Sequence, residues 1–175
     1  MVRHLYDLTG DRMGMEIERK FLLRNDNWRK SAVSCSLLRQ AYAHFQGNPN
    51  LTFRVRLADD LAFLTLKGPV SGCSRKEFEY PIPIGDAKNI LNDFCGKDQI
   101  EKYRYRIPAG NRVWEIDEFL GRNAGLILAE IELGSPDELF ERPEWLGREV
   151  TSEFRFYNSH LLEYPYRDWK DEEKL

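Results

Sequence analysis

In the stretch MEIERKFLL, Met15–Leu23, charge alternates with other side chains: Glu16, Glu18 and Lys20 occupy every second position, with Ile17 and Phe21 between them. Successive side chains of a strand point to opposite sides, so all three charges share one face. The pattern recurs along the chain. Arg54 and Arg56 fall within Leu51–Leu57, Thr65 and Lys67 within Leu61–Lys67, and Glu77 and Glu79 within Arg75–Ile84. Lys102, Arg104 and Arg106 fall within Ile100–Ile107, Glu115 and Asp117 within Arg112–Phe119, and Glu130 and Glu132 within Leu126–Leu133. The opposite faces are apolar, among them Phe53, Val55, Leu64, Leu66, Phe78, Tyr80, Tyr103, Tyr105, Trp114, Ile116 and Ile131. Recurrent alternation reads as strands, not helices.

The connections support this layout. A further strand is expected at Leu37–Phe45, a turn at Gly47–Asn50, a tight hairpin at Ala58–Asp60, and loops at Gly68–Ser74, Pro108–Asn111 and Gly121–Gly125. Helical signals are few. Asp26 is placed to cap a short helix through Trp28 and Lys30, and Asp86–Phe94 reads as a helix burying Ile90, Leu91 and Phe94. Ser135, followed by Pro136, is expected to cap a short helix through Leu139 and Phe140, and Ser159–Glu163 is another candidate. The fold class that follows is mainly β (α+β), with about eight antiparallel strands in one sheet or barrel. A chain of 175 residues fits one domain. It is expected over residues 15–165, between an N-terminal extension, 1–14, and a charged C-terminal tail, 166–175.

For any single strand, the simpler reading is one wet face and one core face. Two details favour the charged faces pointing inward. These stripes hold almost only Glu, Asp, Arg and Lys, segregated by strand into acidic and basic sets, which solubility does not require. Eight strands also tend to close on themselves. Charged faces turned inward would line a wet channel, with the apolar faces packing outward. Carboxylates bind hard cations such as Mg2+ or Mn2+, whereas Arg and Lys bind phosphate oxygens, so both signs together suit a metal–polyphosphate ligand. Nucleic acid is disfavoured, because repeated carboxylates would repel its backbone and the formal net charge is −3. Cys35, Cys73 and Cys95 are scattered, as are His4, His44 and His160, so no zinc site is expected. With no apolar run of membrane-spanning length, a reduced cytoplasmic location is expected.

The motifs, taken in order, resemble the CYTH domains of the triphosphate tunnel metalloenzymes. They are EIERK at Glu16–Lys20, LRQAY at Leu38–Tyr42, FRVRL at Phe53–Leu57, LTLKG at Leu64–Gly68 and SRKEFEYPI at Ser74–Ile82. EKYRYRI at Glu101–Ile107, WEIDEF at Trp114–Phe119, AEIEL at Ala129–Leu133 and PEWLGREVT at Pro143–Thr151 complete the series. The closest look is to compact bacterial inorganic triphosphatases. The resemblance implies a closed eight-stranded antiparallel barrel forming a charged tunnel, and Mg2+ or Mn2+ as cofactor. It implies metal carboxylates at Glu16, Glu18, Glu130 and Glu132, with Glu77, Glu79 and Asp117 completing the set. Triphosphate would be held by Lys20, Arg39, Arg54, Arg56, Lys67, Lys102, Arg104 and Arg155, and Lys67, Glu115 and Asp117 would act in the chemistry. Arg39 and Arg106 could instead brace carboxylates. The expected ligand is a small-molecule triphosphate, with no nucleic-acid or membrane partner, in a monomer or homodimer. The activity implied is hydrolysis of a terminal phosphoanhydride, most simply of inorganic triphosphate. The alternatives are an adenylate cyclase of class IV type, a thiamine triphosphatase and a non-catalytic polyphosphate-binding module. One segment departs from the family pattern: in SEFRFYN, Ser152–Asn158, Phe154 stands where Lys is common and Phe156 where Tyr is common. Tyr157 is expected to point away from the interior if this segment is extended.

Overall fold

The computed structural model describes residues 14–44, 51–95 and 99–174; residues 1–13, Phe45 and the Gly47–Asn50 turn lie outside that range. The strands are β1 Met15–Leu23, β2 Ser34–His44, β3 Thr52–Ala58, β4 Leu61–Lys67, β5 Ser74–Pro81, β6 Ile100–Ala109, β7 Arg112–Phe119, β8 Ile127–Glu132 and β9 Leu146–Glu149. The helices are α1, Ile84–Asp93, and α2, Asn158–Glu163. Strands pair in the order β5-β4-β3-β2-β6-β7-β8-β1, and β5 returns to β1. Eight antiparallel strands thus close into a barrel, as the alternation and the resemblance led one to expect. β1 is the fastener. One of its edges pairs with β8 over Glu18–Leu22, while its other edge is divided between β5, at Met15–Ile17, and β9, at Phe21 and Leu23.

The register decides which way the charges face. Lys20 lies opposite Glu130, Glu130 opposite Glu115, Arg104 opposite Asp117 and Lys67 opposite Glu77, so the stripes meet on one surface. Lys20, Arg54, Lys67, Lys102, Arg104, Asp117 and Glu130 are all buried. The charged surface is the inside of the barrel, and most of the apolar core lies outside it. One outer cluster joins Phe21, Trp28, Trp114, Ile116, Ile131 and Trp145. Trp114 meets the rings of Phe21, Phe140 and Trp145 edge-on, with centroids 5.5–5.6 Å apart, a preferred aromatic geometry. A second cluster seats Ala87 and Leu91 of α1 on Ala41, Val55 and Ala62. The third closes one end of the barrel: Tyr42, Ile100, Phe119 and Leu128 from the strands pack with Phe156, Leu161 and Trp169.

Several local expectations are corrected. Ser135–Phe140 forms no helix: Glu138 accepts from Gly134 N and from Arg112, and the chain stays open enough to bring Phe140 against Trp114. Phe94 follows the last residue of α1 and is 75% exposed, so Ala87 and Leu91 form its buried stripe. β9 was unforeseen because only four residues pair. Its Gly147 is required by close approach, since a Cβ there would lie 2.7 Å from Leu22 O. Beyond residue 165 the chain carries buried Trp169, so this charged stretch is docked on the barrel by an aromatic anchor. Among the described residues no helix is long and apolar enough to cross a membrane.

Candidate active site

The barrel encloses a cavity of about 1260 Å3. β1 contributes Glu16, Glu18 and Lys20 to its wall, β3 Arg54 and Arg56, β4 Lys67, and β5 Arg75, Glu77 and Glu79. Arg104 and Arg106 of β6, Arg112 and Glu115 of β7, and Glu130 and Glu132 of β8 complete the charged lining.

The charges interlock across strands. Lys20 Nζ donates to Glu18 Oε2 at 2.6 Å and also to Glu130. Lys67 Nζ bridges Glu16 Oε1 and Glu77 Oε2, both at 2.8 Å, and Arg75 donates to Glu16 from the other side. Arg54 and Arg56 each reach Glu79 at 3.0 Å, and Arg54 also donates to Thr65 Oγ1. Arg104 ties three carboxylates together, donating to Asp117, Glu115 and Glu130, while Arg106 Nε donates to Glu115 at 3.0 Å.

This network is not electrostatically balanced everywhere. Burial, together with the Glu130 carboxylate, raises the Glu18 pKa although Lys20 opposes it. Burial, with Glu16 alongside, pushes Glu77 up to about 7 although Lys67 opposes it. Glu16 itself is held well below the usual range, because Lys67 and Arg75 overcome its burial. On the basic wall, burial and the neighbouring Arg54 pull Arg56 down to about 10, and burial and Arg54 likewise lower Lys67. Among the described residues Arg54 Nε and Arg56 Nε, both buried, have no hydrogen-bond partner. A buried guanidinium with an idle N–H and too little opposing charge is a receptor for an anion.

Glu16, Glu18, Glu130 and Glu132 offer the hard oxygen donors that Mg2+ or Mn2+ prefers, and the repulsion between Glu18 and Glu130 is of a kind that a cation relieves. The donor chemistry therefore fits such an ion. As arranged here, with lysine and arginine engaging the carboxylates, no three acidic side chains among the described residues converge as an ion-enclosing set.

Four expected site residues do not reach the cavity. Arg39 lies on the outer face, paired with Glu101 at 3.0 Å, because β2 turns Leu38, Gln40 and Tyr42 inward and the residues between them outward. Arg155 leaves the barrel on a 3-10 turn, Phe154–Phe156, bonding Glu153 and Glu173 O beside Trp169. Lys102 and Asp117 point inward but lie below the cavity wall, bonded to each other. Conversely, Arg75 shares the parity of Glu77 and Glu79 and was legible from it, whereas Tyr42, Thr151 and Asn158 carried no charge signal. Tyr157 also borders the cavity, because the segment turns where an extended chain would have carried it away.

The sequence profile of the CYTH domain matches residues 14–160. An inorganic triphosphatase of Acetivibrio thermocellus is 45% identical over 159 residues, spanning 91% of this chain and 100% of the relative. An inorganic triphosphatase of Nitrosomonas europaea is 33% identical over 150 residues, spanning 83% and 95% respectively. A crystal structure of an inorganic triphosphatase superposes with a TM-score of 0.60 at 29% identity, over 84% of this chain and 93% of that one. The profile match runs from the residue before β1 into α2, so it takes in every strand of the barrel, and the chain belongs to the CYTH domain family.

Proposed function

We propose that the protein hydrolyses inorganic triphosphate to orthophosphate and pyrophosphate, with Mg2+ or Mn2+ as cofactor. The observation that carries this reading is the buried pair Arg54 and Arg56 on the cavity wall, each with an Nε that has no hydrogen-bond partner among the described residues, Arg56 being the under-neutralised one. The names of the two relatives support the choice of substrate. Arg54, Arg56 and Lys67 receive phosphate oxygens, with Lys20 and Arg104 on the facing wall. Lys67, whose proton burial and Arg54 loosen, lies where it can donate to a phosphate oxygen as the anhydride opens. Glu115 is held ionised by Arg104 and Arg106 against its burial, and it accepts a hydrogen bond from the attacking water to orient it. Asp117 acts through Arg104, fixing the guanidinium from below with Nε and Nη2 both at 2.6 Å. A divalent cation, held by Glu16, Glu18, Glu130 and Glu132 with Glu77 and Glu79 beside them, would neutralise phosphate charge and acidify water. In the balanced reaction, water oxygen bonds to the terminal phosphorus, its bond to the bridging oxygen breaks, and pyrophosphate leaves.

The test is to supply triphosphate, ATP and thiamine triphosphate separately with Mg2+, with Mn2+ and with EDTA. Orthophosphate, pyrophosphate and cyclic AMP are then measured. Equal yields of orthophosphate and pyrophosphate from triphosphate, lost in EDTA, are expected. Tight triphosphate binding without turnover of any substrate would replace the hydrolase with a binding module.

A further inference from the structure

Lys102, expected among the triphosphate-binding residues, lies beneath the cavity wall, bonded to Asp117. Its ammonium has a second contact: Nζ donates to Asn158 Oδ1 at 3.4 Å. Asn158 borders the cavity and Lys102 does not, so the asparagine side chain stands between the buried ion network and the channel. It is fixed from both sides along the chain, because Phe156 and Leu161 are buried in the cluster that closes the barrel. A carboxamide has an accepting end and a donating end, and an ammonium offers donors only. The oxygen is therefore the end that faces Lys102, and the NH2 group faces away from it. Among the described residues Asn158 Nδ2 has no acceptor. Two neighbours on the same stretch of wall spend their hydroxyls within the protein: Tyr157 donates to Thr151 O at 3.1 Å, and Thr151 Oγ1 donates to Glu149 Oε1 at 2.7 Å. Asn158 keeps two N–H groups for an acceptor that enters the cavity.

We propose that the Asn158 carboxamide donates a hydrogen bond to a phosphate oxygen of the bound triphosphate, in an orientation set from beneath by Lys102. The proposal rests on reading the cavity as a triphosphate site. Lys102 then serves the ligand at one remove. Its charge polarises the carboxamide whose oxygen it holds, and a polarised amide is a stronger N–H donor. No proton is transferred at this contact. Lys20 and Arg104 attract the phosphates by charge, and Asn158 adds a directional bond without a further charge.

Steady-state triphosphate hydrolysis and calorimetric binding of imidotriphosphate, a non-hydrolysable analogue, are compared in the parent, Asn158→Leu and Asn158→Asp, with metal present. The parent must turn over triphosphate; if it does not, the functional reading fails and not the asparagine assignment. Asn158→Leu keeps the shape and loses both ends of the amide. Given an active parent, it is expected to lower kcat/KM and analogue affinity by about ten- to a hundredfold, the range for losing a hydrogen bond to a charged group. Asn158→Asp keeps an oxygen for Lys102 and gives up the N–H groups. Its thermal midpoint should stay close to the parent's, while analogue affinity falls at least as far as in Asn158→Leu. A side chain that merely braced Lys102 would be replaced by aspartate without loss. A folded Asn158→Leu with kcat/KM and analogue affinity both within about twofold of the parent overturns the proposal. Should Asn158→Leu not fold, Asn158→Asp decides alone, and an analogue affinity within about twofold of the parent's overturns the proposal.

Discussion

Asp117→Asn tests whether a buried ion network beneath the channel holds its central guanidinium. Asp117 is 0% exposed and Lys102 1%, and Asp117 accepts from Lys102 Nζ and twice from Arg104. Asparagine keeps the shape and removes the charge. Arg104 retains Glu115 and Glu130. Lys102 loses the carboxylate it is bonded to and keeps Asn158 Oδ1 at 3.4 Å. Removing one member of a buried pair costs about 3–5 kcal/mol. An independent ceiling agrees: letting the lysine surrender its proton at neutral pH, from an ordinary pKa near 10.4, costs about 5 kcal/mol. For a chain of this length the expected fall in Tm is roughly 6–20 °C. Burial already depresses the Lys102 pKa, with Asp117 opposing it, and loss of Asp117 depresses it further. Between that lowered value and about 10.4 the unfolded chain binds more protons than the folded one, so the variant's stability rises with pH across this window. Urea unfolding near neutrality and near the upper end of the window measures both effects. Adding Lys102→Met to Asp117→Asn should recover at least about half of the loss, because no orphaned charge then remains. A single variant within about 2 °C of the parent, or a double variant as unstable as the single one, would refute the reasoning.

Glu18→Gln is expected to abolish most metal-dependent phosphate release while leaving the far-ultraviolet circular dichroism unchanged; near-normal turnover would remove Glu18 from the metal set. Arg56→Met should raise KM for triphosphate at least about tenfold, whereas Arg39→Ala, on the outer face, should leave kcat and KM at parent values. Glu77 has a folded-state pKa of about 7, above its unfolded value, so the folded state holds the extra proton and stability falls as pH rises from about 4.5 to 7. Calorimetric Tm should therefore fall less over that window in Glu77→Gln than in the parent, and parallel profiles would contradict the assignment.

Alternation made the barrel legible because inward and outward positions differ in chemistry on almost every strand. β1 and β7 were readable to the residue for this reason. β2 was not: its inward set of Leu38, Gln40 and Tyr42 is uncharged and gave no alternating signal, so nothing in the pattern checked the resemblance's placing of Arg39, which faces out. Lys102 and Asp117 had the correct face, but depth along the barrel axis has no periodic signature. Whether an inward charge meets the cavity or lies beneath its wall depends on the stagger between strands. The closed end was illegible for a related reason. Phe156, Leu161 and Trp169 lie in short helical turns with no sustained period, and only their shared contact with Phe119 and Leu128 reveals a common task.

The fastening role of β1 has a consequence for biosynthesis. It is among the earliest strands made, yet Lys20 finds Glu130 only 110 residues later and Thr151 only 131 residues later. At ordinary elongation rates of about 5–20 residues per second, the strand waits roughly 5–25 s for partners that complete the barrel. Pairings this distant in sequence are slow to form, and unpaired strand edges invite aggregation meanwhile. Glu16, Glu18 and Lys20, with Arg19 on the other face, break up the apolar residues Met15, Ile17 and Phe21–Leu23, as gatekeeper charges do. The same side chains that line the finished channel thus keep the nascent strand hydrated until the end of the chain arrives to cover it.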